Sequence, residues 1–283
     1  MIEVNNLSFT YPKAKAPTLK GLNFSIAKGE IFGFLGPSGA GKSTAQKVLY
    51  KILPGYSGDI NIDGKPLANW GKEYFEQIGV GFELPNHYLK LTGKENLELF
   101  ASFYPKENMR NLPELFELVG LEDAINQKVS DYSKGMKMRL NFIRAIMHNP
   151  SILFFDEPTS GLDPANAFKI KELINELKAQ GKTIFITTHN MDTADQLCDR
   201  VSFIVDGEIR ITEEPAVLKH QHGEHKVVAE SKTGQVKEFE IEQLGSNSSF
   251  LEFIKNNELE SINSKDATLE QVFMNVTGKA LKI

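Results

Sequence analysis

GFLGPSGAGKST, residues 33–44, lies between an apolar run and a stretch with helical periodicity. The apolar run EIFGFL (30–35) is typical of a buried strand, and TAQKVLYKIL (44–53) has the apolar spacing of a helix face. A glycine-rich turn between a strand and a helix is the context that the phosphate loop G-x-x-x-x-G-K-[ST] requires. The fixed positions of that motif are Gly36, Gly41, Lys42 and Ser43. We therefore predict a nucleoside triphosphate site.

Each residue type in this loop suits phosphate binding. Glycines let successive backbone N–H groups point at phosphate oxygens, and the following helix adds the positive end of its dipole. We predict that Lys42 holds the outer phosphates and that the Ser43 hydroxyl binds Mg²⁺. The alternative is a glycine-rich turn with a surface lysine, and the strand–turn–helix setting argues against it. The predicted nucleotide-binding residues of the loop are Gly36, Pro37, Ser38, Gly39, Ala40, Gly41, Lys42, Ser43 and Thr44.

Two adjacent carboxylates follow a second apolar strand in SILFFDEPTSGLDP (151–164). We predict a central strand of a parallel sheet, whose carboxyl end brings Asp156 and Glu157 to the crevice that holds the phosphate loop. Asp156 is then predicted to hold Mg²⁺ through water, and Glu157 to accept a proton from, or orient, the attacking water. Paired acids at a strand end can instead cap the next helix. Asp163 before Pro164 is typical of such a cap.

A histidine ends a third predicted strand, TIFITTH (183–189). An isolated histidine is more often structural than catalytic. The carboxyl end of a core strand is nevertheless where ligands bind in open α/β sheets, which predicts that His189 contacts the γ-phosphate.

Length and composition limit the other possibilities. The chain has 283 residues with 41% hydrophobic and 24% charged, which is ordinary for one large domain and an appendage. A net charge of -5 gives no bulk attraction to nucleic acid, so no nucleic-acid partner is expected. A single cysteine, Cys198, excludes an intramolecular disulfide and favours a reducing compartment. The first residues lack a signal-peptide layout, and no run reaches the roughly 18 apolar residues that cross a bilayer.

The order of GPSGAGKST (36–44), YSKGMKMRL (132–140), ILFFDEPTSGLD (152–163) and ITTH (186–189) resembles the nucleotide-binding subunits of ATP-binding cassette (ABC) transporters. The resemblance covers about residues 1–217. It implies a head-to-tail dimer in which each ATP lies between the phosphate loop of one subunit and the signature loop of the other. The matching signature residues are Ser133 and Gly135. On its own, DYSKG is typical of a turn and a helix cap.

The resemblance also implies further roles and a fold. Tyr11 would stack on adenine, although an ordinary strand tyrosine is the alternative, and Asp163 would communicate with the partner subunit. The guanine-reading N-K-x-D motif is absent, so ATP with Mg²⁺ is the expected ligand. The expected fold is α/β: a phosphate-loop NTPase core with a mostly parallel sheet, an antiparallel β subdomain, a helical subdomain over about 84–145 and a small α+β C-terminal appendage.

Two departures from the family pattern stand out. In IGVGFELPN (78–86), Glu83 occupies the position where the family places a glutamine that touches Mg²⁺. A carboxylate suits Mg²⁺, so Glu83 remains a predicted nucleotide-site and metal residue, but it adds negative charge beside the other acids. The usual signature sequence is Leu-Ser-Gly-Gly-Gln. In this chain Tyr132 replaces the leucine, Lys134 replaces a glycine, and Met136 is a further departure.

The segment after Glu83 is rich in apolar and aromatic residues. Its stripe Leu97, Phe100, Ala101 and Tyr104 has helical spacing and is predicted to be mostly core. The family resemblance implies a groove that receives a short cytoplasmic helix of a membrane protein. The groove residues we predict are Leu84, His87, Tyr88 and Leu89. A self-packed surface loop is the alternative.

The last part, residues 218–283, is predicted to be a small α+β appendage. KHQHGEHK (219–226) favours a solvated linker over a metal site, because no acid or cysteine is convincingly spaced with its histidines. KVVAESKTGQVKEFEIE (226–242) predicts a hairpin, and SSFLEFIKNN (248–257) and TLEQVFMNVTG (268–278) predict helices. The closing stretch ATLEQVFMNVTG (267–278) resembles the end of ATPases that serve ABC-2 type permeases, a class dominated by exporters.

The sequence as a whole predicts a peripheral ATPase at the cytoplasmic face of the cell membrane. Its expected partners are integral membrane permease subunits and a second copy of itself, or a paralogous ATPase subunit. The predicted catalytic residues are Lys42, Glu157 and His189. Two alternatives remain: a soluble member of the same superfamily that acts on ribosomes or DNA, and an ATP-binding regulatory module with little hydrolysis.

Overall fold

The computed structural model describes residues 1–223, 225–265 and 267–278, which form two compact units. The first unit ends at Thr212 and the second begins at Glu213. In the described part of the chain, no helix combines the length and the apolar character needed to cross a membrane.

The first unit contains two sheets and several helices. Its strands are β1 (Ile2–Phe9), β2 (Leu19–Ile26), β3 (Ile31–Leu35), β4 (Ser57–Ile62), β5 (Lys65–Pro66), β6 (Ile78–Gly81), β7 (Ile152–Asp156), β8 (Thr183–Thr188), β9 (Arg200–Val205) and β10 (Glu208–Glu213). Its α-helices are α1 (Lys42–Leu49), α2 (Glu73–Gln77), α3 (Gly93–Ala101), α4 (Leu112–Leu118), α5 (Lys134–Ile146), α6 (Pro164–Ala179) and α7 (Met191–Leu197). Short 3₁₀ turns lie at Leu67–Asn69, Lys106–Asn108, Glu122–Ala124 and Val129–Asp131.

The central sheet has the strand order β10-β9-β3-β8-β7-β6. Strand β3 pairs in parallel with β8 and β9, and β7 pairs in parallel with β6 and β8. Every residue of β3, β7 and β8 is buried, as expected for parallel strands covered on both faces. The register aligns their carboxyl ends, because Leu35 pairs with Thr188 and Thr187 pairs with Asp156. The segments that follow these strands therefore meet at one edge of the sheet.

The second sheet is antiparallel, with the order β2-β1-β4-β5. Its buried side chains join the same hydrophobic core as those of the central sheet. Phenylalanines dominate the contact: the rings of Phe24, Phe34 and Phe185 have centroids 4.8 to 5.9 Å apart. The predicted α/β class with a parallel core and an antiparallel sheet is confirmed, and α3, α4 and α5 supply the helical segment between β6 and β7.

The second unit is a three-stranded antiparallel sheet with helices. Its elements are α8 (Pro215–His222), β11 (Lys226–Ser231), β12 (Val236–Glu240), a 3₁₀ turn at Leu244–Ser246, α9 (Ser248–Asn256), β13 (Leu259–Lys265) and α10 (Leu269–Thr277). The strand order is β12-β11-β13. The hairpin and both helices predicted from the sequence are present. Strand β13 was not predicted, and the histidine-rich stretch is not a linker throughout, because Lys219–His222 is the last turn of α8.

Candidate functional site

The phosphate loop has a backbone shape that depends on glycine. Gly41, immediately before α1, has φ 108°, a region that side-chain-bearing residues rarely adopt. A Cβ on Gly36 would lie 2.1 Å from the carbonyl oxygen of Ile204 on β9. Only glycine lets the chain leave β3 this close to its neighbouring strand. The motif spacing therefore reflects steric limits at both ends of the loop.

Lys42 is folded back onto its own loop. The Nζ atom donates to the carbonyl oxygens of Gly36 at 2.7 Å and Pro37 at 3.1 Å, and the residue is buried. Burial lowers the pKa of Lys42, while the charges of Glu157, Asp156 and Glu83 raise it. The ammonium group is thus held at the floor of the loop by neutral acceptors, with carboxylates nearby.

Ser43 and Asp156 are joined directly. The Ser43 hydroxyl donates to Asp156 Oδ1 at 3.1 Å, and the Thr187 hydroxyl donates to the same oxygen. Asp156 is buried and ends β7, while Ser43 lies in the first turn of α1, 113 positions earlier in the chain. The fold therefore brings together a hydroxyl and a carboxylate, two oxygen ligands of the kind Mg²⁺ prefers.

Glu157 is fixed by hydrogen bonds with three residues. Its backbone has φ 51°, in the left-handed region, and its N–H donates to the carbonyl of Thr187 at 2.9 Å. The carboxylate accepts from the Thr188 hydroxyl at 2.8 Å, and from the backbone N–H and ring Nδ1 of His189 at 2.9 and 2.6 Å. An ionised carboxylate only accepts, so Nδ1 of His189 carries the proton in this pair. This buried carboxylate therefore has a defined orientation at the edge of the sheet.

These groups line one cavity of about 390 Å³. Most of the predicted site residues meet there; the lining is Tyr11, Thr18, Ser38, Gly39, Gly41, Lys42, Ser43, Thr44, Glu83, Asp156, Glu157 and His189. Gly36, Pro37 and Ala40 belong to the same loop but do not line this cavity. Ser133, Gly135 and Asp163 also do not line it. The cavity of a single chain thus contains the phosphate loop and the acids but not the signature residues.

The signature residues lie at the start of α5. The exposed Ser133 caps this helix and accepts from the Met136 N–H at 3.1 Å. The hydroxyl of the preceding Tyr132 is buried and donates to the carbonyl of Ala124 at 2.6 Å. Tyr132, which stands where the family has leucine, therefore anchors the signature loop to the segment that contains Ala124. Asp163 caps α6 through the Asn166 N–H at 3.0 Å, the capping role that the sequence also allowed.

Two residues at the site were missed by the sequence reasoning. Thr18 lines the cavity from the segment before β2, and nothing in its local sequence marks it. Gln46 is fully buried on α1, and its Nε2 donates to the carbonyls of Phe185 at 3.0 Å and Phe155 at 3.3 Å. It ties the helix after the phosphate loop to β7 and β8. A glutamine on the buried face of a helix was the available signal.

Tyr11 lies beside the loop. It is half-buried, its ring meets Phe9 edge to face at 5.0 Å, and its hydroxyl lies 3.2 Å from Thr44 Oγ1. The ring is therefore packed against β1. The aromatic group stands at the wall of the cavity that also holds the loop residues.

A second cavity, here called the apolar groove, has a volume of about 520 Å³. Its lining is Tyr50, Ile52, Phe75, Ile78, Val80, Phe82, Leu84, Asn86, Phe100, Tyr104, Arg144, Ala145, Met147 and His148. Of the four residues predicted for a docking groove, Leu84 lines it and is 74% exposed. Tyr88 and Leu89 are exposed outside it, and His87 bonds through Nε2 to the Lys137 carbonyl at 3.0 Å.

The family model described as "ABC transporter" matches residues 19–160. A fluoroquinolones export ATP-binding protein of Mycobacterium tuberculosis is 48% identical over 99% of this chain and 94% of that protein. A Nod factor export ATP-binding protein I of Rhizobium meliloti is 38% identical over 73% of this chain and 62% of that protein.

Solved structures agree with these sequence matches. An ATP-binding subunit of an ABC transporter superposes with a TM-score of 0.72 and 31% identity, over 79% of this chain and 93% of that one. A dimeric ATP-binding cassette in a post-hydrolysis state, bound to ADP and Pi, superposes with a TM-score of 0.69 and 29% identity, over 76% and 98%.

Proposed function

This chain belongs to the ABC transporter family as an ATP-binding subunit that hydrolyses ATP, and from that premise we propose that it drives a separate membrane permease in export. The observation that carries the proposal is the convergence of Lys42, Asp156 and Glu157 on one cavity behind the phosphate loop. Export is supported by the relatives named for the export of fluoroquinolones and of Nod factors. In this role the subunit lies at the cytoplasmic face of the membrane.

Lys42 and the loop amides would act on the phosphates of ATP. In the structure the Lys42 ammonium rests on two backbone carbonyls, which are neutral acceptors. A phosphate in the loop replaces them with charged oxygens, and charge-assisted hydrogen bonds are roughly twice as strong as neutral ones. Negative charge that develops on the transferred phosphoryl group is stabilised by these same donors.

Ser43, Asp156 and Glu83 would hold Mg²⁺. The direct Ser43–Asp156 contact and the oxygen-only donor set fit this ion. When bound, Mg²⁺ supplies charge neutralisation between phosphate oxygens. Asp156 would hold the ion through water, with a carboxylate that the hydroxyls of Ser43 and Thr187 orient. Glu83 supplies a carboxylate where the family has an amide.

Glu157 would position the attacking water and accept its proton. Its carboxylate is held by Thr188 and His189, so it does not need to reorient during the reaction. His189 is half-exposed beside it and would contact the γ-phosphate with the rest of its ring. The proposed catalytic residues are therefore Glu157, His189 and Lys42.

A second copy, or a paralogous subunit, would complete the site. Ser133 and Gly135 lie at the N-terminus of a 13-residue helix but outside the cavity of their own chain. A helix N-terminus with an exposed serine favours an anion. We propose that these residues reach the γ-phosphate bound by the other subunit, with Asp163 near that interface and Tyr11 against the adenine.

The apolar groove would receive a short cytoplasmic helix of the permease. Leu84 at its rim is 74% exposed, and aromatic rings cover its walls. Apolar grooves of this kind bind one face of an amphipathic helix. The segment from Glu83 to Leu84 connects the nucleotide cavity with the groove, because Glu83 lines the first and Leu84 the second.

The test uses the variant Glu157→Gln, tagged and held with ATP, with Glu172→Gln on the exposed face of α6 as the matched control. We expect the steady-state ATPase rate of Glu157→Gln to fall at least about 100-fold, the range of a lost general base, and a multi-span membrane protein to co-purify from solubilised source cells. An unchanged rate would remove Glu157 from catalysis. Recovery of ribosomal or DNA-bound material without a membrane protein would refute the transporter role.

A further inference from the structure

The apolar groove contains a buried cation. Arg144, on α5, is 9% exposed and lines the groove. Its guanidinium lies over the ring of Phe100, 4.7 Å from the centroid, and 6.0 Å from that of Phe82. Arginine is rarely buried to this degree unless a carboxylate pairs with it.

Arg144 has only neutral hydrogen-bond partners among the described residues. It donates to the backbone carbonyl of Asn86 at 2.8 Å and to Asn141 Oδ1 at 2.7 Å. No ion pair within residues 1–223, 225–265 and 267–278 involves it, and the groove lining contains neither Asp nor Glu. Burial, followed by the charge of Arg144, lowers the pKa of the nearby His87 to about 4. The groove is therefore apolar and locally positive.

His148 adds a hydrogen-bond acceptor to the same wall. Its Nε2 lies 2.9 Å from the carbonyl oxygen of Ile78, which can only accept, so Nε2 carries the proton. Burial lowers the pKa of His148, which favours the neutral ring, and its buried Nδ1 has no hydrogen-bond partner among the described residues. The groove wall thus contains a charged donor and a buried acceptor without a partner in the described part of the chain, both in a low-dielectric setting where unmet polar groups are costly.

We propose that the permease helix docking in this groove carries an Asp or Glu side chain that pairs with Arg144, so that Arg144 selects the permease with which this subunit assembles. The inference rests on the proposed function and names the chemistry of its partner. A helix without the carboxylate would exclude water from the guanidinium and supply no counter-charge, and truncating one partner of such a pair weakens binding about 30-fold or more. Discrimination by an unpaired buried charge is a common source of specificity between similar partners.

The experiment is a double-mutant cycle between the full-length chain and the permease that co-purifies with Glu157→Gln, embedded in nanodiscs. Each Asp and Glu in the permease's cytoplasmic segments is changed to its amide, and Arg144→Gln is made in this chain. Arg139→Gln is the matched control, because Arg139 is on the same helix and also donates to carbonyls, those of Val119 and Gly120, but does not line the groove. The Kd of assembly is measured for each pair, and basal ATPase rate and Tm for each soluble variant.

We expect Arg144→Gln to raise the Kd about 30-fold or more, one permease acid to do the same, and the double variant to be no weaker than either single. Arg139→Gln stays within about twofold. Effects of Arg144→Gln that are additive with every permease acid overturn the pairing. If Leu84→Asp weakens assembly while Arg144→Gln does not, the groove docks the permease and this inference alone fails.

Two further outcomes are decisive. If neither Leu84→Asp nor Arg144→Gln weakens assembly, the groove is not the docking site, and that part of the proposed function fails together with this inference. If Arg144→Gln does not fold, the permease variants are measured against the unmodified chain. The pairing is then refuted when no single acid-to-amide change alters the Kd by more than about twofold.

Discussion

Thr188→Val tests whether the orientation of Glu157 is part of catalysis. Valine matches threonine in shape, so the change removes one hydroxyl from a buried position. That hydroxyl donates to Glu157 Oε2 at 2.8 Å and accepts from the Asn190 N–H at 3.0 Å. A hydrogen bond to a charged group contributes about 1.5–3 kcal/mol. If all of that orienting energy is expressed in the transition state, kcat falls about 10- to 150-fold.

The assay separates this effect from a general loss of structure. Steady-state ATP hydrolysis gives kcat and KM, equilibrium binding gives the Kd for ATP, and thermal unfolding gives Tm. We expect kcat to fall while the Kd for ATP stays within about twofold, because Thr188 does not line the nucleotide cavity. The control is Thr193→Val, a buried threonine whose hydroxyl lies 3.5 Å from that of Thr159 and does not contact Glu157. The reasoning is refuted if kcat is unchanged, or if Thr193→Val lowers kcat equally.

Three further predictions concern other parts of the molecule. Glu83→Gln removes one negative charge from the nucleotide cavity. We therefore expect the Kd for metal-free ATP to fall by up to about fivefold and the Mg²⁺ concentration for half-maximal ATPase activity to rise. If both values are unchanged, Glu83 does not act on ATP or Mg²⁺. His87, with a folded-state pKa of about 4 against 6.5 for the free side chain, should make the free energy of unfolding decrease as pH falls from about 6.5 to 4, because only the unfolded chain binds the proton in that interval. His87→Gln should reduce this slope in urea unfolding at pH 7 and pH 5, and an identical slope would contradict the assignment. Gly135→Ala should change the free energy of unfolding by no more than about 1 kcal/mol, because the added methyl group would lie 3.6 Å from Leu162 Cδ2. It should nevertheless lower the ATPase rate of the dimer. Full activity would count against contact between the N-terminus of α5 and the nucleotide bound by the other subunit.

Local motifs carried most of what could be predicted about the site. The phosphate loop and the pair Asp156–Glu157 are each contiguous, and each follows a strand whose apolar residues are visible in the sequence. Glycine and acid positions of this kind are dictated by short-range backbone geometry and by which strand end carries them. For that reason the carboxyl-end location of Lys42, Asp156 and His189 followed from pattern alone.

The tail was predicted less completely. Its hairpin and amphipathic helices have clear periodicity, but β13 alternates weakly, with most of its side chains exposed. This strand is held by backbone pairing with β11, from Lys226–Lys265 to Ser231–Leu259. Edge strands with little buried surface leave only a faint hydrophobic pattern.

By itself, the sequence determined the α/β class, the phosphate site and the paired acids, because these depend on residues that are neighbours in the chain. The tertiary structure alone decided which distant groups touch: Ser43 with Asp156, Gln46 with β7 and β8, and Arg144 with Asn86. Burial is a property of such contacts, since it depends on elements far apart in sequence that pack over the same side chain. An arginine in an amphipathic helix is expected at the surface, and only the packing of the aromatic walls around Arg144 turned it into a buried cation with no carboxylate partner among the described residues.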